Sequence, residues 1–237
     1  MIDIHSHLIY GVDDGSKDIE TSINILDSLS KNGVTDIILT PHYITDTNYV
    51  SSKTDNITKL YELKREVKKQ GININLYLGN EIYIDPNILD FIKDNKMCSL
   101  NNSEYILVEL PMSGNYPDYQ DILQDLIRIG FKVILAHPER YGSFQKDFNK
   151  VLEMVDMGVL LQCNIDSILG NYGKDAKKTM KLILKNKLVS FVGTDIHSVK
   201  NDYSYLEKAK NKFKKYLSDE EIDDIFVNNA KKIIQDK

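Results

Sequence analysis

The five histidines of this chain all fall where a short apolar run ends, and each has metal-capable company. His5 and His7 stand in Asp3-Ile4-His5-Ser6-His7. His42 follows Thr40-Pro41, His137 opens His137-Pro138-Glu139-Arg140, and His197 closes Asp195-Ile196-His197. Residues two apart on a strand point to the same side, so His5 and His7 can offer two imidazoles to one metal ion, with Asp3 placed to brace one ring. Glu81 and Glu109 end two further apolar runs. Asp14, in Gly11-Val12-Asp13-Asp14-Gly15-Ser16, either ligates a metal or caps the next helix, a task for which Ser16 competes. Ligation is the favoured reading for Asp14, and Asp13 is read as a turn residue.

These donors are too many for one tetrahedral zinc with three protein ligands, so two or three divalent ions are expected. Nitrogen and oxygen donors without thiolate suit manganese, iron or zinc. Such ions lower the pKa of a bridging water and neutralise an oxyanion during displacement, which fits phosphoester hydrolysis. Arg140, three residues after His137, can give phosphate a bidentate contact; the competing reading is a surface salt bridge.

The elements that must position these side chains follow from apolar patterning. Strands are predicted at Ile2 to Ile4, Asp36 to Thr40, Ile74 to Leu78, Tyr105 to Glu109, Val133 to Ala136, Val159 to Cys163 and Val189 to Val192. Between them run helical periodicities such as Ile19, Ile23, Leu26 and Leu29, then Leu60, Leu63 and Val67. Gly33, Gly71, Gly130 and Gly158 stand where helix C-caps belong, directly before the next strand. Repeated βα units of this kind predict an α/β barrel with its chemistry at the strands' carboxyl ends, where six of the seven carry a metal-capable residue. The stretch from Tyr203 to Asp236, with a capping box at Ser218 and Glu221, is expected to pack against the barrel exterior.

No linker or composition break divides the 237 residues, so one domain, 1–237, is expected. A net charge of −5 gives no field to draw in nucleic acid, and no apolar run approaches a membrane-spanning length. Cys98 and Cys163 are too few and too far apart for a disulfide framework and read as reduced structural residues. Taking Met1 as the start, the early His-x-His leaves no room for a signal peptide, so a cytoplasmic protein is expected. Homo-oligomerisation stays open.

In residues and order, Asp3-Ile4-His5-Ser6-His7, Thr40-Pro41-His42, Glu81, Glu109, His137-Pro138-Glu139-Arg140 and Asp195-Ile196-His197 resemble the PHP (polymerase and histidinol phosphatase) family. The segment from His5 to Ser16 and the His-Pro-Glu-Arg tetrapeptide are similar to its bacterial manganese-dependent protein-tyrosine phosphatases of capsule and exopolysaccharide operons. The resemblance spans essentially the whole chain. It implies a distorted (β/α)7 TIM-like barrel with a trinuclear centre. It further implies one metal on His5, His7, Glu81 and Asp195, a second on Glu81, Glu109 and His137, and a third on Asp14, His42 and His197. Arg140 would bind phosphate, and Asp14 would also serve proton transfer to the leaving phenolate. The implied substrate is a phosphotyrosine protein, a cognate tyrosine kinase. Relatives carry a second arginine where this chain has Asp202, and Lys200 is the nearby point charge.

Three readings compete with the phosphotyrosine one. Small-molecule phosphatase activity, of the histidinol-phosphate kind, needs the same metals. A nuclease needs a basic groove that the acidic balance disfavours. A non-catalytic metal-binding interaction module should have lost ligands. The segment from Met112 to Tyr119, with Tyr116 and Pro117, is expected to offer aromatic surface over the site or to pack for stability.

Overall fold

The computed structural model describes residues 1–112 and 119–235. Its strands are β1 (Ile2–Asp3), β2 (Asp36–Leu39), β3 (His42–Tyr43), β4 (Asn75–Leu78), β5 (Glu81–Tyr83), β6 (Tyr105–Glu109), β7 (Lys132–Ala136), β8 (Leu160–Asn164) and β9 (Val189–Gly193). All paired strands run parallel, in one sheet of order β1-β2-β4 and one of order β3-β5-β6-β7-β8-β9. Helices connect the strands that pair, as parallel pairing requires.

The seven predicted strands are present, two of them bent into pairs. β3 continues β2 after Thr40-Pro41, and β5 continues β4 after Gly79-Asn80. Proline lacks an N–H for the ladder, so pairing stops at Pro41 and resumes with His42 opposite Glu81. Hydrogen bonds carry the strands across the break: Thr40 N to Ser6 O (2.8 Å), Gly79 N to Leu39 O (2.9 Å) and Glu81 N to Pro41 O (3.2 Å). The barrel closes where Ser6 bridges Ile196, with Asp195 N donating to His5 O (2.9 Å) and His7 N to Ile196 O (3.0 Å). The result is a distorted α/β barrel with seven staves.

Strand periodicity of two sorts the core. Ile2, Ile4, Ile38, Tyr105, Leu107, Ile134, Ala136 and Phe191 form one buried cluster, whereas their neighbours Ile37, Ile106, Val108, Val133, Leu135 and Val192 join another with the helices. The first lines the interior. Ala230 and Ile233, from the helix Asn229–Gln235, belong to that interior cluster, and Asn229 Nδ2 donates to Ser190 O at the start of β9 (3.0 Å). The helix Asn229–Gln235 therefore closes the barrel end opposite the strand carboxyl termini, whereas Leu206, Ala209, Phe213, Leu217, Ile222 and Ile225 of the same C-terminal segment join the outer cluster, on the barrel's exterior. Its capping box at Ser218 and Glu221 is present.

Candidate metal centre

Each candidate ligand is delivered by a strand end or by the turn just beyond it. His5 and His7 follow β1, His42 opens β3, Glu81 opens β5, Glu109 ends β6, His137 follows β7, and Asp195 and His197 follow β9. His137 (φ 34°) and Asp195 (φ 51°) occupy left-handed backbone conformations that L residues avoid, a strain held by the surrounding ladder. Gly193 is obligatory: a Cβ there would meet His5 Cβ at 2.7 Å and Gln162 Nε2 at 2.8 Å.

All nine sequence-derived candidates converge, and their ligand atoms form four overlapping groups, each within 4.8 Å. These are His7-Asp14-His42-His197, His5-His7-Glu81, His5-His137-Asp195 and His42-Glu81-Glu109. At the centre, Glu81 Oε2 lies 3.3 Å from both His5 Nε2 and His7 Nε2, and 3.0 Å from His42 Nδ1. Asp195 Oδ1 is 3.4 Å from the same two Nε2 atoms. His137 Nε2 stands 3.0 Å from Glu81 Oε1 and 3.7 Å from Glu109 Oε1. Farther out, Asp14 Oδ1 is 3.5 Å from His42 Nε2 and 3.4 Å from His197 Nε2.

This packing suits cations better than protons. Glu81 Oε2 and His42 Nδ1 are buried and, among the described residues, lack a hydrogen-bond partner despite their proximity. The Nε2 atoms of His5 and His7 face one another at 3.2 Å. Lone pairs aimed at shared points are what divalent ions require of nitrogen and oxygen donors, and the residues present fit such ions.

Neighbours fix the rings. His5 Nδ1 donates to Gln162 Oε1 (2.8 Å), an orientation set by Gln162 Nε2 donating to Asn164 Oδ1. His7 Nδ1 donates to Asp13 Oδ2 (2.9 Å), and His197 Nδ1 to Asp195 O (2.9 Å). Each leaves Nε2 facing the cluster, the arrangement metal-binding histidines need. Asp13 is thus a brace and no mere turn residue; it also accepts from His42 N and Gly15 N. Asp3 does not reach a ring. It accepts from His5 N, Thr194 N and Thr194 Oγ1, tying the first and last staves together. Asp18, not Asp14 or Ser16, caps the helix Ile19–Lys31. Tyr141, also missed, accepts from Leu110 N (3.0 Å) and donates to Ala136 O (2.8 Å), clamping the strand ends that carry Glu109 and His137.

Charge is balanced internally. Burial disfavours a charged His5, but Glu81 and Asp195 outweigh it and raise its pKa to about 9. Burial, then Glu81, pushes Glu109 up to about 8. The His197 hydrogen bond holds Asp14 down at about 2.

Arg140 is partly buried. Its Nη1 donates to Asp195 Oδ2 at 2.5 Å, beside Asn164 Nδ2 on the same oxygen (2.8 Å), and its guanidinium stacks on Tyr172 at 4.5 Å. Glu139, buried, accepts from Asn164 N and Ser167 Oγ, binding the β8 loop to the His-Pro-Glu-Arg turn. Asp202 is exposed and bonded to Ser204 and Lys208. Tyr119 packs on the core, while Tyr116 and Pro117 lie outside the described residues. A cavity of about 450 Å³ lined by Lys64, Lys68, Asn73 and Tyr77 shares no residue with the cluster, so concavity alone does not mark the chemistry.

The family model for capsular polysaccharide synthesis, CpsB/CapC, matches residues 1–235. The CapC protein of Staphylococcus aureus is 33% identical over 237 residues, covering 99% of this chain and 91% of that one. The tyrosine-protein phosphatase CpsB of Streptococcus agalactiae serotype III (strain NEM316) is 29% identical, with 99% and 98% covered. Among solved structures, one from work on YwqE of Bacillus subtilis and CpsB of Streptococcus pneumoniae, described as unique metal-dependent tyrosine phosphatases, superposes with a TM-score of 0.91. It is 26% identical and covers 100% of this chain and 95% of that one. Histidinol phosphate phosphatase from Lactococcus lactis shares the fold, with a TM-score of 0.62 at 16% identity over 91% and 93% of the two chains. A barrel with this cluster, matched from end to end, belongs to the CpsB/CapC family of capsular polysaccharide synthesis proteins.

Proposed function

We propose that this chain is a metal-dependent protein-tyrosine phosphatase acting on a tyrosine kinase of capsule or exopolysaccharide synthesis. The observation that carries the reading is the interlocked cluster of nine ligand candidates with Arg140 at its edge. The names of the family relatives support the reaction, and the family description supports the pathway. The match across residues 1–235 supports one metallophosphatase unit. Free, buried Cys98 and Cys163 suit a reducing cytoplasm, and among the described residues no helix is long and apolar enough to cross a membrane.

In this reading His5, His7, Glu81 and Asp195 hold one ion, Glu81, Glu109 and His137 a second, and Asp14, His42 and His197 a third. Manganese is the favoured metal, with iron or zinc compatible with the donors. When bound, the ions supply a water of lowered pKa and neutralise charge on the phosphoryl oxygens. The chain's own contributions are orientation and charge. Arg140 uses one N–H on Asp195, which leaves further N–H groups of its fork for phosphate oxygens. Tyr172 backs the guanidinium plane. Asp14, with its pKa near 2, is ionised at neutral pH. That state favours holding a cation over donating a proton to the leaving phenolate.

The test is turnover by metal-loaded protein of a tyrosine phosphopeptide against histidinol phosphate. The reading expects the peptide to be preferred in kcat/KM. Cleavage of histidinol phosphate alone would replace it with the small-molecule reading, and cleavage of neither would reject phosphatase activity.

A further inference from the structure

We propose that Tyr49 selects an aromatic phosphate ester, its ring forming one wall of the slot into which the phenyl group of the substrate packs. The proposal rests on the phosphotyrosine reading above and adds the contact that tells a phenolic ester from an aliphatic one. Beyond β3 the chain makes a tight turn, 44–49, and folds back so that Val50 bridges Tyr43 in antiparallel fashion. Ile44 N donates to Tyr49 O (2.9 Å), Tyr49 N to Thr47 Oγ1 (3.0 Å) and Thr47 Oγ1 to Ile44 O (2.7 Å). Thr45 Oγ1 donates to Asp85 Oδ2, tying the turn to the segment after β5. These bonds fix the turn without using the Tyr49 side chain.

That side chain lies at the ligand cluster. Its ring stacks on the His42 imidazole, with centroids 5.9 Å apart and planes 18° from parallel. Among the described residues, two tyrosine rings meet a candidate ligand, Tyr49 on His42 and Tyr141 on His137, and they differ in kind. Tyr141 is buried, with its hydroxyl bonded to Leu110 N and Ala136 O, and serves the framework. Tyr49 keeps part of its surface open to solvent. His42 shares a group with Asp14 and His197, whose side chains are half and about a third exposed, so Tyr49 borders the open end of the cluster. Nor does His42 depend on Tyr49 for its direction. Both ring nitrogens already face the cluster, Nδ1 at 3.0 Å from Glu81 Oε2 and Nε2 at 3.5 Å from Asp14 Oδ1.

The chemistry of an aryl phosphate does the rest. One ester oxygen joins its ring to phosphorus, so a phosphoryl group held at the cluster leaves the ring at the opening, against whatever lines it. Aromatic rings gain from offset or edge-to-face contact beyond the area they bury. A phosphoserine ester places a single methylene there and has no ring to offer. Tyr49 thereby favours the phenolic ester through contact with the leaving group, while the phosphoryl contacts are common to both.

The experiment measures binding of two phosphonates that cannot be hydrolysed, benzylphosphonate and methylphosphonate, to the manganese-loaded full chain by calorimetry. Manganese content is read on the same samples. The wild type should bind benzylphosphonate more tightly by about tenfold, and Tyr49→Phe, which keeps the ring, should preserve that ratio. Tyr49→Ala, and Tyr49→Leu, which keeps bulk over His42, should each lower the ratio by about fivefold with manganese content unchanged. Because each ratio is internal to one preparation, a partly inactive variant does not distort it. A ratio near one in the wild type, or one that survives both Tyr49→Ala and Tyr49→Leu, overturns the slot. Equal weakening of both phosphonates with loss of manganese makes Tyr49 a brace for His42 and overturns it as well. If the wild type still cleaves a tyrosine phosphopeptide, each of these failures leaves the phosphatase reading intact; a metal-loaded chain that cleaves no phosphopeptide and binds neither phosphonate overturns both.

Discussion

The inner and outer ends of the ligand cluster are built on different plans. Inside, His5, His7 and Glu81 are essentially inaccessible, and Asp195 is only 6% exposed. Gln162 and Asp13 hold the two imidazoles, and hydrogen bonds across the barrel seam fix the backbone beneath them. Outside, the side chain of Asp14 is half exposed and that of His197 about a third. The inner end is a preformed cage that excludes water. The outer end opens to solvent, so an ion held there should exchange more readily, and the three proposed sites should not fill or empty together.

Substitutions break this comparison in graded fashion. The largest effect belongs to His5→Ala, which removes a buried ligand candidate that two of the four groups share. Turnover of a phosphotyrosine peptide should disappear and bound metal should fall, measured by kinetics and elemental analysis on the same sample. Arg140→Ala comes next. It should keep its metal while kcat/KM falls by roughly 10²- to 10³-fold, the scale of a lost oxyanion donor; loss of metal would move Arg140 from substrate contact to centre assembly. Gln162→Leu removes only the brace on His5 and should cost about 10- to 100-fold in metal affinity or activity, read by chelator competition.

A smaller effect is a pH slope in the metal-free chain. The His5 pKa is raised from 6.5 to about 9, so its protonated form stabilises the fold below about 6.5 and that contribution is lost as pH rises through 9. Glu109, raised from 4.5 to about 8, is neutral in the fold, and its tendency to ionise adds loss in the same direction between those values. The melting temperature of metal-free protein should therefore fall from pH 6.5 to 9, and saturating manganese should flatten the slope by taking the protons' place. A flat profile without metal would mean that the inner carboxylates and imidazoles do not share protons as described.

Most of the chemistry was legible in the sequence because it sits at strand ends, where a change from apolar run to histidine or acid is easy to see. All nine ligand candidates and Arg140 meet in space for that reason. The braces were harder. Gln162 and Asn164 lie at inward positions of β8, and their burial depends on a barrel interior that local pattern does not reveal, although two amides alternating within a strand were a usable signal. Adjacent Asp13 and Asp14 take opposite roles because the turn sends one carboxylate toward His7 and the other toward His42 and His197. β3 and β5 escaped separate prediction because strands of two or three residues carry no periodicity of their own. The C-terminal segment shows an amphipathic face but not which part of the barrel that face covers.

The most direct test is the number of divalent ions held by wild type and by Asp14→Asn after equilibrium dialysis against manganese, measured by inductively coupled plasma mass spectrometry. The account predicts more than one ion per wild-type chain and, in the variant, loss of a single weakly held ion with the inner ones retained. One ion per wild-type chain, or loss of all ions from Asp14→Asn, would contradict a multinuclear centre with a closed inner cage and an open outer site.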